Sequence, residues 1–160
     1  MKYWLTSDTH LNHSRIIEYV NRPFKSVEHM DRELIRRWNE RVEHDDTVFH
    51  LGDFAFCRGE KDYNYYAEQL NGKIILVKGN HDGRESKSII TSMTIKYHGI
   101  DWYMSHEPTP VYKYNLHGHV HDLWKIKKYH NKYLINCGVD VHNFYPISIE
   151  EILEEIKTLT

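Results

Sequence analysis

Five short clusters in this 160-residue chain carry side chains able to donate to a cation: Asp8-Thr9-His10, Gly52-Asp53, Gly79-Asn80-His81-Asp82, Ser105-His106 and Gly118-His119-Val120-His121. They mix imidazole nitrogen with carboxylate and amide oxygen and contain no thiolate, a borderline-hard set that suits Mn, Fe or Zn in a reactive centre rather than structural zinc. Asp8, His10, Asp53, Asn80, His106, His119 and His121 make seven such side chains. That is too many for one tetrahedral ion, and it suits two ions if one carboxylate bridges them and solvent fills the rest. Two divalent cations bring roughly +4, the two aspartates return about −2, and a bridging hydroxide leaves about +1, a hole that attracts an anion, phosphate above all. Histidine is the outlier of the composition: 13 copies are more than any packing argument calls for.

These residues need a scaffold that brings them together. Short extended runs at Tyr3-Trp4-Leu5, Thr47-Val48-Phe49 and Ile74-Ile75-Leu76-Val77 alternate with helical stretches. The clearest helix places Val27, Met30, Leu34, Trp38 and Val42 on one face behind Ser26 as N-cap. A second helix is predicted through Tyr63, Tyr66, Ala67 and Leu70, stopped by Asn71-Gly72. From Met93 onward closely spaced extended segments follow, 94–97, 100–105, 112–117 and 133–136, expected to pair largely antiparallel across turns such as His98-Gly99 and His130-Asn131. Ser148 and Glu151 stand at capping-box spacing before a final helix that carries Ile149, Ile152, Leu153, Ile156 and Leu159. The expected fold class is α/β: a two-sheet sandwich of mixed strands flanked by helices, over one domain spanning residues 1–160. Four of the five clusters follow a predicted strand, and loops at strand ends meet at one rim of such a sheet.

Each cluster alone has a bland reading. Asp8-Thr9-His10 serves as a turn or helix cap, and Gly79-Asn80 as a turn that uses positive φ. The run His117-Gly118-His119-Val120-His121 resists that reading, because alternate residues share a face and three imidazoles crowded there have no purpose without a cation. Taken together the clusters resemble the calcineurin-like metallophosphoesterase superfamily, whose signature is Asp-x-His, Gly-Asp, Gly-Asn-His-Asp or Glu, a further His, and Gly-His-x-His. Every part occurs here in order between Asp8 and His121. The resemblance implies the four-layer αββα metallophosphatase fold, one metal on Asp8, His10 and His121, another on Asn80, His106 and His119, and Asp53 between them. It implies His81 as the catalytic histidine, with Asp82 tuning its ring. It further implies hydrolysis of phosphodiesters, and also monoesters, of nucleotide-like small substrates by metal-bound hydroxide, with Mn the expected metal and Fe, Ni or Zn as alternatives.

The opening Asp8-Thr9-His10-Leu11-Asn12-His13 is similar to that of small phage and bacterial members, which would turn His13 to the cleft. Arg84 and Tyr112 are candidate substrate contacts beside it; Arg15 and Arg58, like Arg84, lie within a few residues of a cluster where a guanidinium can clamp phosphate, with a solvated surface position as the default. His142 is expected near the same rim, and His50 as a buried donor behind it. The balance of 21 Lys plus Arg against 23 Asp plus Glu, net −2, excludes the single-signed basic field of a protein that grips nucleic acid mainly through phosphates. A nuclease would share the chemistry but needs a strand-binding surface, and a scaffold with a vestigial site would have lost ligands that here are all intact. With Cys57 and Cys137 alone, 40% hydrophobic residues and no apolar leader, the expectation is a cytoplasmic enzyme without membrane attachment whose partner is a small phosphoester.

Overall fold

The computed structural model describes residues 1–83 and 87–160. In chain order the elements are β1 (Tyr3–Thr6), α1 (Arg15–Tyr19), α2 (Val27–Arg41), β2 (Thr47–His50), α3 (Tyr63–Ala67), β3 (Lys73–Leu76), β4 (Ser92–Tyr97), β5 (Ile100–Ser105), β6 (Tyr114–His117), β7 (Ile126–Tyr129), β8 (Lys132–Asn136), a 3₁₀ turn (Val139–Val141), β9 (Ile147–Ser148) and α4 (Ile149–Thr158). They form a four-stranded sheet ordered β3-β2-β1-β9 and a five-stranded sheet ordered β4-β5-β6-β8-β7. The expected sandwich of two mixed sheets flanked by helices is the fold observed.

The period-two alternation of β1 and β2 builds two cores at once. Trp4 and Val48 face outward and meet Met30, Leu34 and Trp38 of α2, all of them buried. Leu5 and Phe49 face inward and meet Trp102, Met104, Leu116 and Ile135 of the second sheet, with Ile149, Ile152 and Ile156 of α4 in the same cluster. Helix α2 starts where the sequence predicts, because the Ser26 hydroxyl accepts the His29 N–H at 3.1 Å. Helix α4 closes its first turn with both halves of a capping box, Ser148 N–H to Glu151 Oε2 at 2.8 Å and Glu151 N–H to Ser148 Oγ at 3.2 Å. Helix α3 is shorter than predicted: it spans Tyr63–Ala67 behind an Asp62 cap, and turns complete the chain to Asn71.

The second sheet departs from the expected antiparallel pairing. Strands β4 and β5 are antiparallel, joined at His98 and Gly99, whose φ angles of 53° and 73° fit the mirror-image turn that suits a hairpin. Strands β5 and β6, and β6 and β8, are parallel. The cause is β7, a strand the sequence pattern did not reveal because Ile126-Lys127-Lys128-Tyr129 has the charged, exposed character of an edge. It takes the antiparallel position beside β8 at the sheet edge, and with β7 as the return segment β8 runs parallel to β6. Loops lie against the outer face of this sheet, with Tyr112 stacked on Tyr103 and Trp124 against His117.

Candidate metal centre

Parallel β1, β2 and β3 deliver their C-terminal ends to one rim, where open α/β sheets keep their sites. The following loops are laced together there: Asp8 N–H donates to the Gly52 carbonyl and His10 N–H to the Asp53 carbonyl, both at 3.0 Å. From the second sheet, Gly118 N–H reaches the His106 carbonyl at 2.9 Å, and His119 N–H donates to Asp8 Oδ2 at 2.9 Å.

The seven candidate ligands form one unbroken chain of neighbours. Ligand atoms of Asp8, His10 and His121 lie within 4.8 Å of one another, as do those of Asp8, Asp53 and His106. His10 Nε2 lies 3.5 Å from Asp53 Oδ2, and His106 Nε2 lies 3.3 Å from that same oxygen. Asn80 Oδ1 is 2.8 Å from His106 Nε2 and 3.1 Å from His119 Nδ1. Asp8 Oδ1, Asp53 Oδ2 and His10 Nε2 are buried with no hydrogen-bond partner among the described residues. An orphaned buried polar atom typically costs about 1–3 kcal/mol, and native folds rarely tolerate three in one place without something to satisfy them. Two carboxylate oxygens and an imidazole lone pair converging in this way fit a divalent cation.

Backbone geometry marks the same residues. Asp8, His10, Asp53, His119 and His121 have φ of 56°, 49°, 55°, 71° and 50°, the left-handed region that costs side-chain-bearing residues of order 1–3 kcal/mol each. The glycines of the clusters have a steric reason. A Cβ on Gly79 would overlap Asp53 Oδ1, and one on Gly118 would overlap Ser7 Oγ and Asp8 Oδ2.

The electrostatics follow from packing carboxylates and imidazoles together away from water. Burial alone would raise the Asp8 carboxyl, but the nearby imidazoles of His10, His106 and His121 hold it well below the usual range. Burial is likewise overcome at Asp53, which His106 and His10 lower. Against its own burial, His106 is pushed up to about 9 by the close Asp53 carboxylate and the charge of Asp8. His121 is raised by Asp140 and Asp8 despite burial. The carboxylates that raise His106 and His121 give the pocket a negative field, which attracts cations.

Sequence reasoning missed two residues behind this wall. The fully buried Arg22 side chain binds Asp140 through Nε at 2.9 Å and Nη2 at 3.0 Å. The same guanidinium donates to the Asp8 carbonyl at 2.6 Å and the Thr9 carbonyl at 2.9 Å. Asp140 in turn lies 3.4 Å from His121 Nδ1, so one ion pair ties the Asp8–His10 turn to His121. Arg22 and Asp140 stand 118 positions apart with no motif around either, and only the fold reveals the pairing. His50, fully buried, meets Thr9 Oγ1 at 2.9 Å behind the same turn.

The Asp82 carboxylate accepts the backbone N–H groups of Gly79 at 2.7 Å, Asp53 at 2.8 Å and Phe54 at 3.1 Å. Through these bonds Asp82 staples two loops, and none of its described hydrogen bonds reaches the His81 ring. His81 itself is exposed on the rim, its N–H on Asp53 Oδ1 at 2.8 Å and its ring 5.7 Å from that of His10. His13 does face the cleft, with Nδ1 3.2 Å from His10 Nδ1; burial, then His10 and His81, lower its basicity. Tyr112 stacks on Tyr103, ring centroids 3.9 Å apart, and has no described contact with the seven candidate ligands. His142 points at the Asn136 carbonyl, 2.8 Å from Nε2, and so supports the end of β8. Arg84 lies outside the described residues.

Comparison with known proteins agrees with this fold. The uncharacterized protein MJ1445 of Methanocaldococcus jannaschii is 37% identical, the alignment covering 98% of this chain and 92% of that one. The crystal structure of AQ665, a protein of unknown function from Aquifex aeolicus, is 26% identical with a TM-score of 0.76 over 96% of this chain and 98% of that one. A structure described as a novel archaeal phosphodiesterase, 21% identical over 86% of this chain and 84% of its own, shares the fold at a TM-score of 0.50. The model of the calcineurin-like phosphoesterase superfamily domain matches residues 1–143. Matched over most of its length by that domain, this chain is a member of the calcineurin-like phosphoesterase superfamily.

Proposed function

We propose that the chain is a dinuclear metal-dependent phosphoesterase that hydrolyses phosphodiesters of nucleotide-like small substrates, with monoesters as secondary substrates. The observation that carries the reading is the convergence of Asp8 Oδ1, Asp53 Oδ2 and His10 Nε2, buried and without hydrogen-bond partners among the described residues. In this reading Asp8, His10 and His121 hold one ion, Asn80, His106 and His119 the other, and Asp53 stands between them, in keeping with its Oδ2 lying within 3.5 Å of both His10 and His106. Divalent ions, Mn foremost, would supply Lewis acidity toward a phosphoryl group and lower the pKa of water from about 15.7 toward 7.

The remaining work belongs to this chain. His81 sits exposed at the mouth of the cavity that His10 and Asp53 also line, in reach of a departing oxygen to which it gives a proton, an effect typically worth about 10²- to 10⁴-fold. Asp82 keeps the His81 and Asp53 loops at fixed separation through its three backbone hydrogen bonds. No described helix is long and apolar enough to cross a membrane. Burial pushes the Cys137 thiol up, away from reactivity, which is compatible with the reducing cytoplasm we favour. The test is hydrolysis of bis-p-nitrophenyl phosphate by metal-stripped protein with and without added Mn. Turnover should require the metal and vanish in Asp53→Asn; metal-independent turnover, or none under any divalent ion, contradicts the proposal.

A further inference from the structure

The cleft continues beyond the candidate ligands. The cavity lined by His10, Asp53 and His81 is also lined by His13 and Phe56. Past His13 and Phe56 lies a groove whose walls include Asn12, Arg15 and Arg58. Two chain segments build the wall they share. Leu11 N–H donates to the Phe54 carbonyl at 3.0 Å and Phe56 N–H to the Leu11 carbonyl at 2.7 Å. Asn12 adds its side-chain amide to the Phe56 carbonyl at 3.0 Å, while its own N–H is clamped by both oxygens of Asp31 at 3.0 and 3.1 Å. The wall is thus fastened to the same turn that presents His10.

Its surface chemistry is specific. Phe56 leaves 44% of its surface exposed inside the cleft, with the Arg58 guanidinium 4.6 Å from its ring centroid and the His13 ring 5.7 Å away. Arg22, Arg36, Arg37 and Arg41 all carry carboxylate partners. Among the described residues Arg15, Arg32 and Arg58 have none, and of these Arg15 and Arg58 line the groove. Two unneutralised guanidiniums along a groove that leads away from an anion-binding centre, with an exposed aromatic ring between, make an electrostatic and stacking track.

We propose that this groove is a second phosphate subsite: the ring of a nucleoside spans Phe56 while a further phosphate of the same substrate reaches Arg15 and Arg58. The substrate class it selects is a nucleotide carrying a phosphate beyond the one attacked, as in dinucleotides and short oligonucleotide ends. This rests on the phosphoester reading of the metal centre.

The test is calorimetric titration of the Mn-loaded protein with methyl phosphate, thymidine 5′-phosphate and thymidine 3′,5′-bisphosphate. The bisphosphate should bind at least about tenfold tighter than the monophosphate, the scale of one charge-assisted hydrogen bond. In the Arg15→Ala/Arg58→Ala double variant that ratio should fall to about one. Phe56→Ala should bring both nucleotides about tenfold closer to methyl phosphate. Equal affinity of the two nucleotides for the unaltered protein overturns the subsite, as does a preference that survives removal of both arginines. Failure of methyl phosphate itself to bind strikes the phosphoester reading of the metal centre, and the subsite falls with it.

Discussion

Replacing Asp140 with asparagine probes how far the metal centre is built by residues that never touch the ion. One Asp140 oxygen lies 2.9 Å from Arg22 Nε, the other 3.0 Å from Nη2 and 3.4 Å from His121 Nδ1. A carboxylate there keeps the proton on Nδ1 and leaves the Nε2 lone pair for a cation. Asparagine offers one oxygen and one NH₂. The guanidinium has only donors and claims the oxygen, so the NH₂ faces His121 Nδ1 and favours the tautomer whose proton blocks Nε2. Loss of such an outer partner typically weakens metal binding 10- to 100-fold, or about 1.4–2.7 kcal/mol. Arg22 keeps the Asp8 and Thr9 carbonyls, so the cost to the fold should stay below the roughly 3–5 kcal/mol of an outright broken buried pair. Titration of Mn into metal-stripped protein, beside thermal unfolding in chelator, separates the two effects. Asp140→Asn should remain folded and bind Mn at least about tenfold more weakly. A dissociation constant within about twofold of the unaltered protein would refute the tautomer argument.

Three further outcomes follow from the packing. Gly118→Ala forces a methyl onto Ser7 Oγ and Asp8 Oδ2, so it should cost about 1–3 kcal/mol and lower Mn affinity in the same titration; unchanged values of both would contradict the close approach. Asp31 is raised by burial, against the Asn12 hydrogen bond, from 3.8 to about 6. Its stabilising protonated form is complete below pH about 4 and lost as pH rises through about 6, so Asp31→Asn should gain about 1–2 kcal/mol relative to the unaltered protein at pH 8 but little at pH 4.5. A difference in melting temperature that does not vary with pH would rule this out. Ser148→Ala removes the acceptor of Glu151 N–H and should destabilise by about 1 kcal/mol in urea unfolding without altering Mn binding.

The candidate centre was legible because its side chains have no other use. Carboxylates and imidazoles following predicted strands at Asp8, Asp53 and His106 imply a shared rim once the strands are parallel. Helices α2 and α4 were legible from their Ser26 and Ser148 caps and one-sided apolar stripes. Contacts that depend on distant chain segments were not. Nothing local tells Arg22 that Asp140 waits 118 residues away, and a carboxylate next to His81 in sequence gives no sign that its oxygens are taken by the amides of Gly79, Asp53 and Phe54. Strand β7 was hidden by its lysines, and with it the parallel pairing of β6 and β8. The left-handed backbone at Asp8, His10 and His121 was equally unreadable, since it is imposed by the assembled site rather than by residue preference.

Anomalous diffraction from crystals soaked in manganese tests the central claim most directly. Two peaks should flank Asp53, one among Asp8, His10 and His121 and the other among Asn80, His106 and His119. A single peak, or none, would contradict the dinuclear account.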